Sequence, residues 1–176
     1  RTTGSGEIQP VGRGHVADVT VDGVLHIRRY AEVSLAGVVT NLGTIDQGHD
    51  GGSGWATVYL DGDLSYLGDG LLQVGSGART KMPAWPDSCA CVVNGPDHTI
   101  ESFGAYFGEG PNYYGDQRIE LVNQGTLLCR GSTDADRFEV TGAGFENQGT
   151  MIIDAVADQD PLISGTFRQT AGLLAC

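Results

Sequence analysis

Leu121-Val122-Asn123-Gln124-Gly125-Thr126-Leu127 returns 24 residues later as Phe145-Glu146-Asn147-Gln148-Gly149-Thr150-Met151. A third copy is Val39-Thr40-Asn41-Leu42-Gly43-Thr44-Ile45. A looser fourth runs from Val92 to Ile100, with Pro96 and Asp97 as a two-residue insertion between Asn94 and Thr99. The residue two before the Asn is always apolar (Val39, Val92, Leu121, Phe145). The residue after the Thr is apolar too (Ile45, Ile100, Leu127, Met151). Each copy therefore reads as a short strand, a tight corner at the Asn, and a second strand entering the same core.

A unit of about two dozen residues points to an array rather than a closed fold. Asn and Gly take φ > 0 more readily than other residues, which suits them to the corners. In stacked coils, equivalent side chains lie about 4.8 Å apart, so Asn41, Asn94, Asn123 and Asn147 are candidates for a hydrogen-bonded amide ladder. The β-branched Thr after the Gly opens a strand well. The competing reading is a set of hairpin turns in an ordinary sandwich. Apolar positions repeated on both sides of every turn favour the β-solenoid. A second repeat agrees: Ser34 to Thr40 resembles Tyr59 to Ser65 at a shift of 25 residues. Asp22-Gly23 suits a hairpin and a solenoid corner equally, so it does not discriminate.

Composition narrows the class. The 176 residues suffice for one domain with a sizeable core. Twenty-eight glycines, 18% charged residues and 7% aromatics fit an all-β chain with many corners. No stretch has a capped helical period, so almost no α-helix is expected. A net charge of −12 argues against nucleic acid and anionic membranes as partners. No apolar run approaches the roughly 20 residues of a membrane span. Cys89 and Cys91 lack a second pair at zinc-site spacing. Cys129 aligns with Ile153 and reads as a small core residue, although a disulfide to Cys89 or Cys91 is an alternative in an exported chain.

The expected architecture is a single β-solenoid domain over 1–176, in coils of 24–25 residues, with loop excursions near 75–88 and 104–117. Prolines in the first excursion cannot serve a central ladder. Trp85 there, and Tyr106, Tyr113 and Tyr114 in the second, gather much of a sparse aromatic complement. Aromatic faces on loops suit the C–H face of a sugar, so these four are the candidate ligand-binding residues. Asp134 and Asp136, then Asp158 and Asp160, repeat a D-x-D pair at a 24-residue offset and are candidate Ca2+ ligands. Asp46, His49 and Asp50 are a weaker cation candidate. The nearest approach to a catalytic constellation is Arg13, His15 and Asp18 with Arg28 and Arg29. It lacks the paired carboxylates of a glycosidase, and no nucleophile or nucleotide motif occurs. Gly172 to Cys176 is apolar and ends without a polar cap, which is expected of a segment of a longer protein or of subunits that associate end to end.

The stretches at 121–127, 145–151 and 39–45, with Leu60-Asp61-Gly62-Asp63-Leu64 and Asn94 to Glu101, resemble the β-helical repeats of bacterial secreted and surface proteins of the filamentous-haemagglutinin and autotransporter-passenger type. The resemblance covers about residues 15–175, and four cysteines depart from the usual pattern. It implies a right-handed parallel β-helix in an extracellular or cell-surface protein. The function expected from it is a non-catalytic segment for adhesion or a structural rod, with a carbohydrate or a surface protein as partner. A carbohydrate-binding or polysaccharide-cleaving β-helix and a self-assembling filament subunit are the alternatives.

Overall fold

The computed structural model describes residues 2–8, 14–48, 56–76, 78–81, 89–104, 106–107, 118–131, 139–155 and 162–175. Of 2–8, 106–107, 118, 131, 139, 141–143, 155 and 162–165 it describes the backbone alone. The described residues form strands and corners, with no helix among them. None is therefore a helix long and apolar enough to cross a membrane. All strand pairs are parallel, and the chain winds as a right-handed parallel β-helix.

Three faces enclose the core. The third face is the most regular. It stacks β1 (Thr2–Ile8), the second arm of β2 (Gly14–Ile27), β4 (Thr44–Gln47), β6 (Leu71–Val74), β9 (Thr99–Ser102), β12 (Thr126–Gly131), β14 (Thr150–Ala155) and β16 (Leu173–Ala175). The first face takes the opening residues of β2, of β3 (Glu32–Asn41) and of β5 (Thr57–Leu67). It continues through β7 (Arg79–Lys81) and β10 (Tyr106–Phe107) to the starts of β13 (Glu139–Asn147) and β15 (Leu162–Gln169). The second face takes the later residues of β2, β3, β5, β13 and β15, with β8 (Cys89–Asn94) and β11 (Arg118–Asn123) between. At Asp22-Gly23 strand β2 turns a corner and runs on, pairing with β3 before it and β4 after it.

Alternation builds the core. β6 and β9 bury every second residue, and Leu60, Leu64, Leu72, Ile100, Ile119, Leu121 and Leu127 are all at most 1% exposed. Each such side chain contributes roughly 1.5–3 kcal/mol.

Two expectations need correction. Coil length is not uniform: successive ladder positions are 29 residues apart from Asn94 to Asn123, 24 to Asn147 and 22 to Gln169. The regions 75–88 and 104–117 are also not wholly excursions, because β7 and β10 each contribute a rung to the first face. These rungs are only 3 and 2 residues long, too short to show a period among glycines and prolines.

The corner glycines have a different cause from the one expected. Gly43, Gly125 and Gly149 are not left-handed, and neither are the ladder asparagines. A Cβ on Gly125 would lie 2.2 Å from the carbonyl oxygens of Gly95 and His98, and one on Gly149 2.1 Å from that of Gly125. These corners use glycine because each coil rests directly on the backbone of its neighbour.

The asparagines do hydrogen-bond along the stack. Asn94 Nδ2 donates to Asn123 Oδ1 at 2.6 Å, and Asn123 Nδ2 to Asn147 Oδ1 at 2.6 Å. Their second N–H groups serve the next coil's backbone, the carbonyls of Thr126 and Thr150 at 3.1 and 3.0 Å. Asn147 hands on to Gln169 Oε1 at 2.9 Å. Asn41 stands apart from this stack, because the intervening coil carries Tyr66 in register with Asn94. His98, from the widened corner after Asn94, closes the gap. Its Nδ1 is 2.7 Å from Asn94 Oδ1, and its Nε2 is 3.1 Å from Asn41 Nδ2.

The partners fix the tautomer. A carbonyl oxygen can only accept and an amide nitrogen can only donate, so His98 is neutral with its proton on Nδ1. Tyr66 stacks on its ring at 5.4 Å and 13°. Burial lowers the His98 pKa to about 4.

Two consequences are testable. Asn123→Ala leaves buried amide groups of Asn94 and Asn147 unpaired, and should cost about 2–4 kcal/mol in chemical denaturation. A loss no larger than that of a surface substitution would show that the ladder carries no stability. The second concerns pH. The folded state holds His98 unprotonated in a range where the unfolded state, with a pKa near 6.5, binds a proton. The stability from this residue is complete above about pH 6.5 and declines towards pH 4, by on the order of 3 kcal/mol. His98→Gln should flatten the dependence of stability on pH within that window.

Candidate functional site

Outward residues of the second face align across coils. Glu120 lies beside Gly144, and Gly144 beside Thr166. In the next column Val122 lies beside Glu146, and Glu146 beside Arg168. Because Gly144 has no side chain, the surface dips between its neighbours. The register of β13 against β15 also shifts between Thr141 and Gly144, an irregularity that re-aims the strand. The result is a cavity of about 140 Å3 lined by Glu120, Gly144, Phe145, Glu146, Thr166 and Arg168.

Glu146 is the fixed member. Its Oε1 accepts from Gln148 Nε2 at 2.9 Å and from Thr170 Oγ1 at 3.0 Å, and Arg168 Nη1 lies 3.7 Å from its Oε2. The Gln148 bond first, then that of Thr170, holds its carboxyl below the usual range, and the Arg168 charge adds a smaller push. Glu146 is therefore an ionised acceptor at neutral pH. Glu120 is exposed at the rim. The hollow offers two carboxylates, a hydroxyl and a guanidinium with most of its surface in water. Such a set can hydrogen-bond a polyhydroxylated ligand in several directions.

The residues singled out from sequence fall elsewhere. Trp85, Tyr113 and Tyr114 lie outside the described residues, as do Asp134, Asp136, Asp158 and Asp160. Tyr106 is on β10 of the first face, described by its backbone. Of the weaker cation candidate, Asp46 pairs with His26 Nδ1 at 3.0 Å, and His49 and Asp50 lie outside the described residues. Among the described residues no group of three or more His, Cys, Asp or Glu is placed to hold a metal ion.

In the loose constellation near the start, His15 and Asp18 each have a partner in another coil. His15 Nδ1 lies 3.2 Å from Asp61 Oδ2, both well exposed. Asp18 is left-handed at φ 50°, and its Oδ1 accepts the Val38 backbone N–H at 3.0 Å, so it braces a corner. Arg13 lies outside the described residues. On the third face, Glu101 accepts from Gln73 at 3.0 Å and from Arg130 at 2.7 Å, and Arg130 also lies 3.7 Å from Asp154.

The hollow was missed because its residues do not repeat. Aligning Phe145-Glu146-Asn147 with Phe167-Arg168-Gln169 is the signal that would have paired Glu146 with Arg168. No protein-family model matches the chain, and neither the curated proteins nor the solved structures contain a match.

Gln148→Leu removes the largest influence on Glu146, so its carboxyl should titrate at higher pH. Carboxyl-carbon NMR reads the midpoint. An unmoved Glu146 would mean that the amide does not hold it.

Proposed function

We propose that this chain is a non-catalytic β-helical segment of an exported protein, serving as a structural rod or in adhesion. The observation that carries the reading is the continuous hydrogen-bonded relay from Asn41 through His98, Asn94, Asn123 and Asn147 to Gln169. Buried polar groups satisfied in this way tie successive coils into one register along the axis. The outer faces support the same view. Gln124 bonds Gln148 at 3.2 Å across one coil step, and Arg130 bridges Glu101 and Asp154, so much of the polar surface links coil to coil. The net charge of −12 keeps a regular β-surface soluble. An extracellular or cell-surface location goes with this reading, through the resemblance of the repeats.

The hollow at Gly144 favours a second reading, that the rod binds carbohydrate. Its size is close to that of one sugar ring, and its groups match sugar hydroxyls. Incubation with a panel of polysaccharides, with calcium and with chelator, tests both readings. The rod reading expects no new chain ends under any condition. Pull-down without cleavage, lost in Arg168→Ala and Glu120→Gln, would establish the binding reading. New chain ends would overturn the non-catalytic assignment.

A further inference from the structure

Strand β8 reads Cys89-Ala90-Cys91-Val92-Val93-Asn94. Ala90 is 1% exposed and packs in the core, so the cysteines flanking it share the outward face. Cys89 is exposed, Cys91 half-buried, and both are free thiols. β11 lies alongside, with Arg118 in register with Cys89 and Glu120 with Cys91. On the other side, Asp63 Oδ1 accepts the Cys91 backbone N–H at 2.8 Å. The strand is thus anchored on both sides of the pair.

That anchoring holds the backbone beneath the two thiols at strand spacing. Outward residues two apart on a strand are about 6.6 Å apart. A disulfide needs its Cβ atoms within about 4 Å, so this strand cannot close one without bending. Two Sγ atoms turned towards each other can still meet one metal ion, since each metal–sulfur bond spans about 2.3 Å.

We propose that Cys89 and Cys91 form a two-thiolate binding site for a divalent thiophilic cation of the zinc and cadmium class. It is an open site, with water completing the coordination, and differs from the closed four-ligand zinc site that the cysteine spacing argues against. Binding breaks two S–H bonds and forms two metal–sulfur bonds. Two protons leave to solvent, and nothing is oxidised or reduced.

Charge selects the ion. Exchanging two protons for a dication leaves the local charge unchanged. Exchanging them for a monovalent ion would add a negative charge beside Glu120 and Asp63. Glu120 lies in register with Cys91, and the Asp63 carboxylate contacts the Cys91 backbone, so the site already faces two acidic groups. Cys129 is not part of the site. It is 4% exposed on β12 of the third face, and burial raises its thiol to about 12.

Cadmium is the probe. It would be titrated into the reduced 176-residue chain, following thiolate-to-metal ultraviolet absorption, proton release and peptide-mapped alkylation. The expected result is one ion per chain, two protons released, and Cys89 and Cys91 both protected from alkylation. Cys89→Ser and Cys91→Ser should each lose the absorption band, and Cys176→Ser should keep it. The protection assay uses the unaltered chain, so it does not depend on a variant folding. Alkylation of Cys89 and Cys91 at saturating cadmium would overturn the proposal. So would a band that survives both serine variants or disappears in Cys176→Ser.

Discussion

A primary amide has two donors and one carbonyl acceptor, and the solenoid's buried corner is arranged around that inventory. Each of Asn94 and Asn123 gives one N–H to the amide of the next coil and the other to a backbone carbonyl there. The Asn123 carbonyl receives from Asn94 in the coil before, and the Asn94 carbonyl receives from His98 at its own corner. All donors point the same way, from Asn41 towards Gln169, and Gln169 Nε2 ends the relay on the Ala171 carbonyl. A chain of bonds with one direction polarises along its length, and any missing member strands two buried groups. The coil at Tyr66 is the difficulty, since it offers no amide in register with Asn94, and Tyr66 lies opposite Val39 rather than Asn41. Asn41 and Asn94 are separated by two coil steps, about 9.6 Å. A neutral imidazole spans that gap with an acceptor at one end and a donor at the other. His98 therefore works only while it stays neutral, which is why burial and function in the ladder coincide there.

The same dependence on coil-to-coil contact explains the corner glycines. Sequence reasoning assigned them to backbone freedom. At Gly43, Gly125 and Gly149 the structure assigns them to proximity, because the carbonyl of the coil beneath occupies the space a Cβ would need, while Gly23, Gly68 and Gly172 are left-handed as expected. The Asn-x-Gly repeat marked the corners correctly even though its physical reason was different. A repeat reports that a constraint recurs without saying which constraint it is.

Most of the fold was therefore legible. Asn123 and Asn147 are 24 residues apart in sequence and in register in space. The apolar residues flanking each corner enter one core, as their alternation required. What stayed hidden lacked recurrence. β7 and β10 are rungs too short to show a pattern, and His98 sits in a corner with a two-residue insertion that the Asn41, Asn123 and Asn147 corners lack. The hollow at Gly144 arises where one outward side chain is missing and the strand slips against its neighbour. Outward positions escape the packing that makes inward ones repeat. They vary freely, so chemistry placed on them cannot be found by looking for the period.

That asymmetry gives the outer faces their capacity for chemistry. The core and the ladder fix each strand's position, and a fixed strand fixes the distances between outward side chains to multiples of the strand and coil spacings. Glu120 illustrates it. Along one direction of its column it meets the hollow at Gly144, and along the other it lies in register with Cys91. Its carboxylate contributes to both environments, as a hydrogen-bond acceptor at the hollow's rim and as a charge that raises the neighbouring thiol. Neither environment needs a loop to form it. On this rod a site requires only that two or three outward residues differ from those of adjacent coils, because the stacking has already placed them.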